Sequence, residues 1–216
     1  LFGDGVNDVD RIMEIAVVNT DADELIHSVT DNADAIFTWD YDKATRPKLD
    51  KLYEKAKTSQ WNASTDLDWS IEVDPYEAVA ILAEAPDDGY FEAPGSPIKN
   101  WDDDTYREFS YQSIAWRMSQ FMHGEQGALL CTAKIVETVP WIDAKYYAST
   151  QVMDEARHVE VFAKYLDEKL TGHYPVNAHL KMLLDDIIED SRWDMTYLGM
   201  QIMVEGLALA AFGIMH

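Results

Sequence analysis

A glutamate and a histidine stand three residues apart in the segment VMDEARHVEVF, as Glu155 and His158. On an α-helix, side chains at this spacing leave the same face about one turn apart. A carboxylate and an imidazole placed in this way can bind one metal ion. The spacing alone is not specific, because a metal-free polar stripe on a helix gives the same pattern. A second copy, Glu24 and His27, lies in an acidic segment of weak periodicity and is interpreted as incidental.

Two further glutamates lie within apolar runs, Glu125 in FMHGEQGALL and Glu205 in IMVEGLALAAF. An isolated carboxylate in such a run is costly to bury unless a charge or hydrogen bonds compensate it. Glu125 lies fifteen residues before Pro140, and Glu155 lies fifteen residues after it. Two helices that fold back at this proline would bring both glutamates to the same height. A cation between them would offset their charges, so the sequence predicts a metal site.

A metal-free interpretation of these residues stays open. Glu125 could form a salt bridge with Lys134 or Arg157, and His158 could be a hydrogen-bonded histidine of the core. His123 stands two residues before Glu125 and points to another helix face, so it is not expected to bind metal.

The elements that would position these residues are helices. Apolar residues at three- and four-residue spacing, with prolines as stops, predict helices over residues 43–59, 76–85, 102–139, 142–170, 177–190 and from 191 onward. Trp61 and Trp69 are expected on a long packed loop. The two long helices joined by a tight turn must lie antiparallel, which is the geometry of a helix bundle. The predicted fold class is all-α, with an extension of short helices and loops over residues 1–100 and a bundle over 101–216.

The composition narrows the class of function. The chain has 216 residues, of which 47% are hydrophobic, and its 17 basic and 40 acidic residues give a net charge of −23. Such a surface repels phosphate backbones, so nucleic acid is not an expected partner, whereas a basic protein could dock on it. The single Cys131 cannot form an internal disulfide and fits a reducing cytoplasm. We identify no apolar run long enough to cross a membrane, so a membrane partner is not expected either. The chain starts at Leu1 and ends within a predicted helix, so we interpret it as a fragment.

The order Glu, Glu-x-x-His, Glu, each on its own long helix, resembles the ferritin-like di-iron carboxylate proteins. Their four-helix bundle carries one Glu on each of two helices and Glu-x-x-His on each of the other two. The DEARH form is similar to the bacterial multicomponent monooxygenases and the small subunits of ribonucleotide reductase. The resemblance covers about residues 102–216 and implies these metal ligands: Glu125, Glu155, His158 and Glu205. No second Glu-x-x-His follows Glu205, so the last bundle helix is expected beyond residue 216.

The resemblance also implies roles for neighbouring residues. Asp154 is expected to orient a histidine. Arg157 is expected to neutralise buried carboxylates or to lie on the surface. Gln151, four residues before Glu155, is expected to face the site, with a place in the core as the alternative. The substrate pocket is expected to include Phe162, Gly206 and Ala208, although tight helix packing explains the small residues equally well. Phe162 stands where radical-storing subunits carry a tyrosine, which argues against radical storage.

Carboxylate-rich sites with few imidazoles suit iron or manganese over zinc or copper. The resemblance therefore implies two iron ions, or manganese with iron, and dioxygen as co-substrate. The expected reaction is hydroxylation or N-oxygenation of a small organic substrate, with electrons from a separate reductase. A ferritin-type ferroxidase without an organic substrate and a metal-free helical scaffold are the alternatives. A homodimer is compatible with the sequence.

Overall fold

The computed structural model describes residues 33–34, 45–74, 94–95, 99–170 and 172–215. The predicted helix over 76–85 and the pair Glu24 and His27 lie outside these residues. The regular elements are α1 (Pro47–Thr58), α2 (Asp103–Thr138), α3 (Ile142–Glu168), α4 (Ala178–Glu189), α5 (Trp193–Thr196), the π-helical segment π1 (Tyr197–Val204) and α6 (Glu205–Met215). The described residues contain no strand, which confirms the all-α fold class.

Helices α2 and α3 form a long antiparallel hairpin. The Asp102 side chain begins α2 by accepting a hydrogen bond from the backbone N–H of Thr105 at 2.8 Å. Pro140 lies in the short connection after α2. Lys145 then donates to two carbonyls in the last turn of α2, at 2.9 and 2.7 Å. A cation at a helix C-terminus satisfies carbonyls that have no partner within the helix, so this lysine stabilises the connection between α2 and α3.

The segment after α3 runs back along α2. The backbone N–H of Tyr174 donates to Ser119 Oγ at 3.1 Å, and farther along both segments Lys134 Nζ donates to the Ile188 carbonyl. Residues 174–188 therefore follow α2 in its own direction and form a crossover to the C-terminal end of α2.

The last helix, formed by α5, π1 and α6 in succession, returns from that end. Gln201 contacts Thr132 near the C-terminal half of α2, and Phe212 contacts Phe121 nearer its N-terminus. The last helix is thus antiparallel to α2 and parallel to α3. Because of the crossover, residues 201–212 of the last helix and the middle of α3 lie beside the same stretch of α2, residues 121–132.

Apolar side chains between these helices form the core. One cluster joins α2, α4 and π1 and consists of Ala128, Cys131, Leu184, Ile187, Ile188 and Met200. A second cluster joins α2 and α3 and contains Tyr111, Ala115, Met122, Leu166 and Leu170. Glycine permits the close approach of α4 to α2, because a Cβ at Gly127 would lie 2.6 Å from a side-chain carbon of Leu184.

Helix α1 and the loop after it pack on α3. Tyr53 stacks on Tyr146 of α3 with a ring-centroid distance of 5.4 Å. Beyond α1, Lys169 donates to the Trp69 carbonyl at 2.7 Å, and the Trp69 indole N–H donates to the Ala63 carbonyl at 2.7 Å. Residues 45–74 therefore form part of the same packed body as the hairpin.

The last helix has a broad exposed apolar surface. Ile202, Met203 and Leu207 are 54%, 57% and 69% exposed. Among the described residues, Trp193–Ile214 is the one helix long and apolar enough to cross a membrane, by length and composition alone. This corrects our expectation that no apolar run was long enough. Glu205 lies in the middle of the stretch, where a bilayer would disfavour a charged side chain.

Candidate metal centre

Glu125, Glu155 and His158 meet between α2 and α3. Each offers one ligand atom, and these atoms lie within 4.8 Å of one another. The Nδ1 atom of His158 lies 3.0 Å from Glu125 Oε2 and 3.2 Å from Glu155 Oε2. The two glutamates are only 8% and 3% exposed. The hairpin brings together two glutamates that are equally far along the chain from Pro140.

The electrostatics of this cluster favour a cation. The hydrogen bond to Glu125, followed by that to Glu155, raises the pKa of His158 from 6.5 to about 10, although burial opposes the shift. The protonated imidazole is therefore the cation between the carboxylates when no metal is bound. This contribution to stability is fully present below pH 6.5 and is lost as the pH rises through about 10. A metal ion would replace the proton, because a ligating imidazole must be neutral.

Glu205 lies next to the cluster on the last helix, where π1 gives way to α6. Burial, then repulsion by Glu155 and Glu125, raises the pKa of Glu205 from 4.5 to about 7. When Glu205 is ionised, the cluster carries three carboxylates against one imidazole, an excess of negative charge that a divalent cation would compensate. Glu205 is outside the group of three whose ligand atoms meet, so the structure places it beside that group.

A chain of side-chain hydrogen bonds leads away from Glu155. Gln151 Nε2 donates to Glu155 Oε1 at 3.3 Å and also to Gln201 Oε1. Gln201 Nε2 in turn donates to Thr132 Oγ1 at 2.9 Å. Gln151 was singled out by the sequence, whereas Gln201 and Thr132 were not. The signal for Gln201 is its type and position: it is an amide in an apolar run, four residues before Glu205.

Asp154 and Arg157 form a pair on another face of α3. The Arg157 guanidinium donates to Asp154 Oδ1 and, at 2.5 Å, to Gln60 Oε1. It also lies over the Trp61 ring, 5.2 Å from the centroid. The structure thus places Arg157 under the loop that follows α1. It places Asp154 beside Arg157, because their three-residue spacing aligns them on the helix.

Three phenylalanines, one from each helix that carries a predicted ligand, stack beside the cluster. The Phe121 ring lies 6.0 Å from Phe162 and 4.8 Å from Phe212, and Phe162 lies 6.5 Å from Phe212, centroid to centroid. Gly206 is exposed, and Ala208 is partly buried. Of the predicted pocket residues, Phe162 is the one that the structure places in this aromatic group.

The two residues considered as salt-bridge partners of Glu125 make hydrogen bonds with other groups in the structure. Lys134 Nζ donates to the Ile188 carbonyl, and Arg157 binds Asp154 and Gln60. His123 hydrogen bonds with Gln126 Oε1 at 2.9 Å and the Tyr174 carbonyl at 2.8 Å, so it lies in a separate hydrogen-bond group.

No protein-family model matches this chain, and no curated protein or solved structure matches it either. The chemistry of the centre is therefore inferred from the types and positions of its own residues. Glu125, Glu155 and His158 form a group that could hold a metal ion, and a third carboxylate, that of Glu205, lies beside them.

Proposed function

We propose that this chain is a metal-binding helix bundle of the ferritin-like di-iron carboxylate class, and that it activates dioxygen to oxidise a small organic substrate. The observation that carries the proposal is the position of His158 Nδ1, 3.0 and 3.2 Å from two buried carboxylates on antiparallel helices. The topology supports it, because ferritin-like bundles have one long crossover connection, and residues 174–188 form a crossover of this kind.

Glu125, Glu155 and His158 would bind the metal, and Glu205 would offer a further carboxylate. Two iron ions, or manganese with iron, would supply electrons for the reduction of dioxygen when bound. A two-ion site needs more donors than these four residues provide.

The protein's own residues would prepare this centre. His158 gives up its Nδ1 proton when a metal binds, and Glu205, with its pKa near 7, can hold a proton beside the cluster. The rings of Phe121, Phe162 and Phe212 would keep water from one side and offer an apolar surface to an organic substrate. The net charge of −23 would favour docking of a reductase with a basic face. We place this protein in the cytoplasm as part of the same proposal.

The first test is anaerobic titration of the metal-free protein with Fe²⁺, followed by equilibrium dialysis and iron analysis. We expect Glu155→Gln and Glu125→Gln to weaken Fe²⁺ binding at least about tenfold, because each removes one charged ligand. Glu160→Gln is the matched control, since Glu160 is an exposed glutamate of the same helix as Glu155. Equal Fe²⁺ binding by the wild type and all three variants would contradict the proposed metal site.

Oxygen uptake then separates the functions. Consumption of dioxygen that depends on an added organic substrate, such as an arylamine or an aromatic hydrocarbon, supports an oxygenase. Consumption that depends on Fe²⁺ alone supports a ferroxidase and contradicts the proposed reaction.

A further inference from the structure

We propose that the hydrogen-bonded chain of Thr132, Gln201 and Gln151 holds Glu155 as a one-oxygen ligand. This inference rests on the proposed metal site and adds positioning residues to it. Glu155 uses its two oxygens differently: Oε2 faces His158 at 3.2 Å, and Oε1 accepts from Gln151 at 3.3 Å. The oxygen that faces the imidazole is therefore available to the metal, while the other is bound to an amide.

Two acceptors at the ends of the chain, the Glu155 carboxylate and the Thr132 hydroxyl, are compatible with one orientation of the amides. A glutamine amide presents two N–H donors on one side and an acceptor oxygen on the other. Because Gln201 Nε2 donates to Thr132 Oγ1 at 2.9 Å, its oxygen is turned toward Gln151. Gln151 can then direct one N–H at that oxygen and the other at Glu155. A reversed Gln201 would set two amide donors against each other, so Glu155 fixes the direction of the chain and the Thr132 hydroxyl completes it by accepting from the outer N–H.

Thr132 is placed to act only through these amides. Its side chain is fully buried, and it lies seven residues after Glu125 in α2, about 10 Å along the helix axis. Three elements contribute one link each, since Thr132 is in α2, Gln151 in α3 and Gln201 in π1. A carboxylate in α3 is thereby positioned by the last helix.

The test is the binding of Co²⁺, added as CoCl₂ to the metal-free protein and followed by its visible absorption. Thr132→Val keeps the size of the side chain and removes the acceptor, whereas Thr132→Ser keeps the acceptor. We expect Thr132→Val to raise the Kd for Co²⁺ at least about tenfold, as is typical when a group that orients a ligand is lost, and to shift the absorption bands. Thr132→Ser should restore the wild-type spectrum and bind within about threefold of the wild type.

Two further variants complete the design. Gln201→Met breaks the same chain from π1 and should reproduce the effect of Thr132→Val even where the latter does not fold. Thr138→Val is the matched control, because Thr138 is also a buried threonine of α2 but donates to the Lys134 carbonyl.

The outcomes separate this inference from the metal site itself. A wild-type protein that binds no Co²⁺ overturns the metal site and the positioning chain together. A wild-type protein that binds Co²⁺, with Thr132→Val and Gln201→Met unchanged in Kd and spectrum, overturns the positioning chain alone. The positioning chain is also overturned if Thr132→Ser binds Co²⁺ as weakly as Thr132→Val does. The loss of binding would then be caused by altered packing and not by loss of the hydroxyl acceptor.

Discussion

At the scale of residues, the centre consists of ionisable groups, each of which would be costly to bury without the others. Glu125 and Glu155 are buried, and His158 relieves their charge through one nitrogen. The sequence predicted this meeting, because equal distances from Pro140 determine relative height in a helical hairpin. It could not predict that Gln201 and Thr132 meet, since they are 69 residues apart and lie on helices separated in the chain by α3 and the crossover.

Glu205 determines a pH dependence that can be measured without metal. Its pKa is raised to about 7, so the folded protein keeps a proton that the unfolded chain releases near pH 4.5. The contribution of Glu205 to stability therefore falls as the pH rises from about 4.5 to about 7. We expect Glu205→Gln to stabilise the metal-free protein at pH 8 by about 1–2 kcal/mol, a value reduced for solvent screening of a half-buried group, and to change little at pH 4.5.

Urea unfolding of both proteins at the two pH values checks this prediction. Glu189→Gln serves as the control, because this glutamate is exposed on α4. A Glu205→Gln protein no more stable than the wild type at pH 8 would contradict the burial of a repelled carboxylate.

At the scale of elements, the sequence indicated most helix ends. Residues 102–139 were predicted helical, and α2 is Asp103–Thr138, because an aspartate cap and a proline mark its ends. The π-helical segment was not predicted. Nearly every position from Tyr197 to Val204 is apolar, so no period distinguishes one helical register from another. Segments of this kind occur often at functional sites.

The π-helical register of π1 is testable by deletion. Removing Ile202 should convert π1 to an α-helix and turn Gln201 relative to Glu205 by about 100°. We expect helix content by circular dichroism to stay near that of the wild type, and the Kd for Co²⁺ to rise at least about tenfold. Ile202→Ala keeps the register and removes only an exposed side chain, so it should bind as the wild type does. If the deletion variant bound Co²⁺ as tightly as the wild type does, the π-helical register would not be needed for metal binding.

The glycines beside Glu125 give a paired prediction on helix packing. A Cβ at Gly124 would meet nothing within 4 Å, whereas a Cβ at Gly127 would lie 2.6 Å from Leu184. Gly124→Ala should therefore stabilise the protein by about 0.5–1 kcal/mol, because alanine favours the helix. Gly127→Ala should be less stable than Gly124→Ala by at least about 1 kcal/mol, since overpacking opposes the same gain. Thermal unfolding measures both, and equal stabilities would contradict the close approach of α4.

At the scale of the whole molecule, residues 45–74 and the hairpin are held together by polar contacts. Thr45 Oγ1 and the backbone N–H of Arg46 donate to Asp143 Oδ2 at 3.0 and 3.1 Å. Arg157 binds Gln60, and Lys169 binds the Trp69 carbonyl. The sequence could not predict these contacts, because they join polar side chains about 100 residues apart and leave no periodic pattern in the chain.

Arg157 is the test of this attachment. Arg157→Met should lower the free energy of unfolding by about 1–3 kcal/mol, because it removes charge-assisted hydrogen bonds from a buried group. It should also speed hydrogen exchange and proteolysis within residues 59–74. Arg192→Met removes an exposed arginine paired with Asp190 and should cost less than about 1 kcal/mol. An unchanged exchange rate in the loop of Arg157→Met would show that other contacts hold it.

The hairpin has a consequence for the order of folding. Glu125 and His158 are 33 residues apart, so α2 and α3 alone contain the three donors, whereas Gln151 and Gln201 are 50 residues apart across the crossover. Short-range contacts cost less chain entropy to close. We expect amides of α2 and α3 to gain protection before those of the last helix in pulsed hydrogen exchange during refolding, and simultaneous protection would contradict this. The centre would then be assembled in two stages, with metal capture open to the nascent hairpin and the arrangement of its ligands completed only when the last helix arrives.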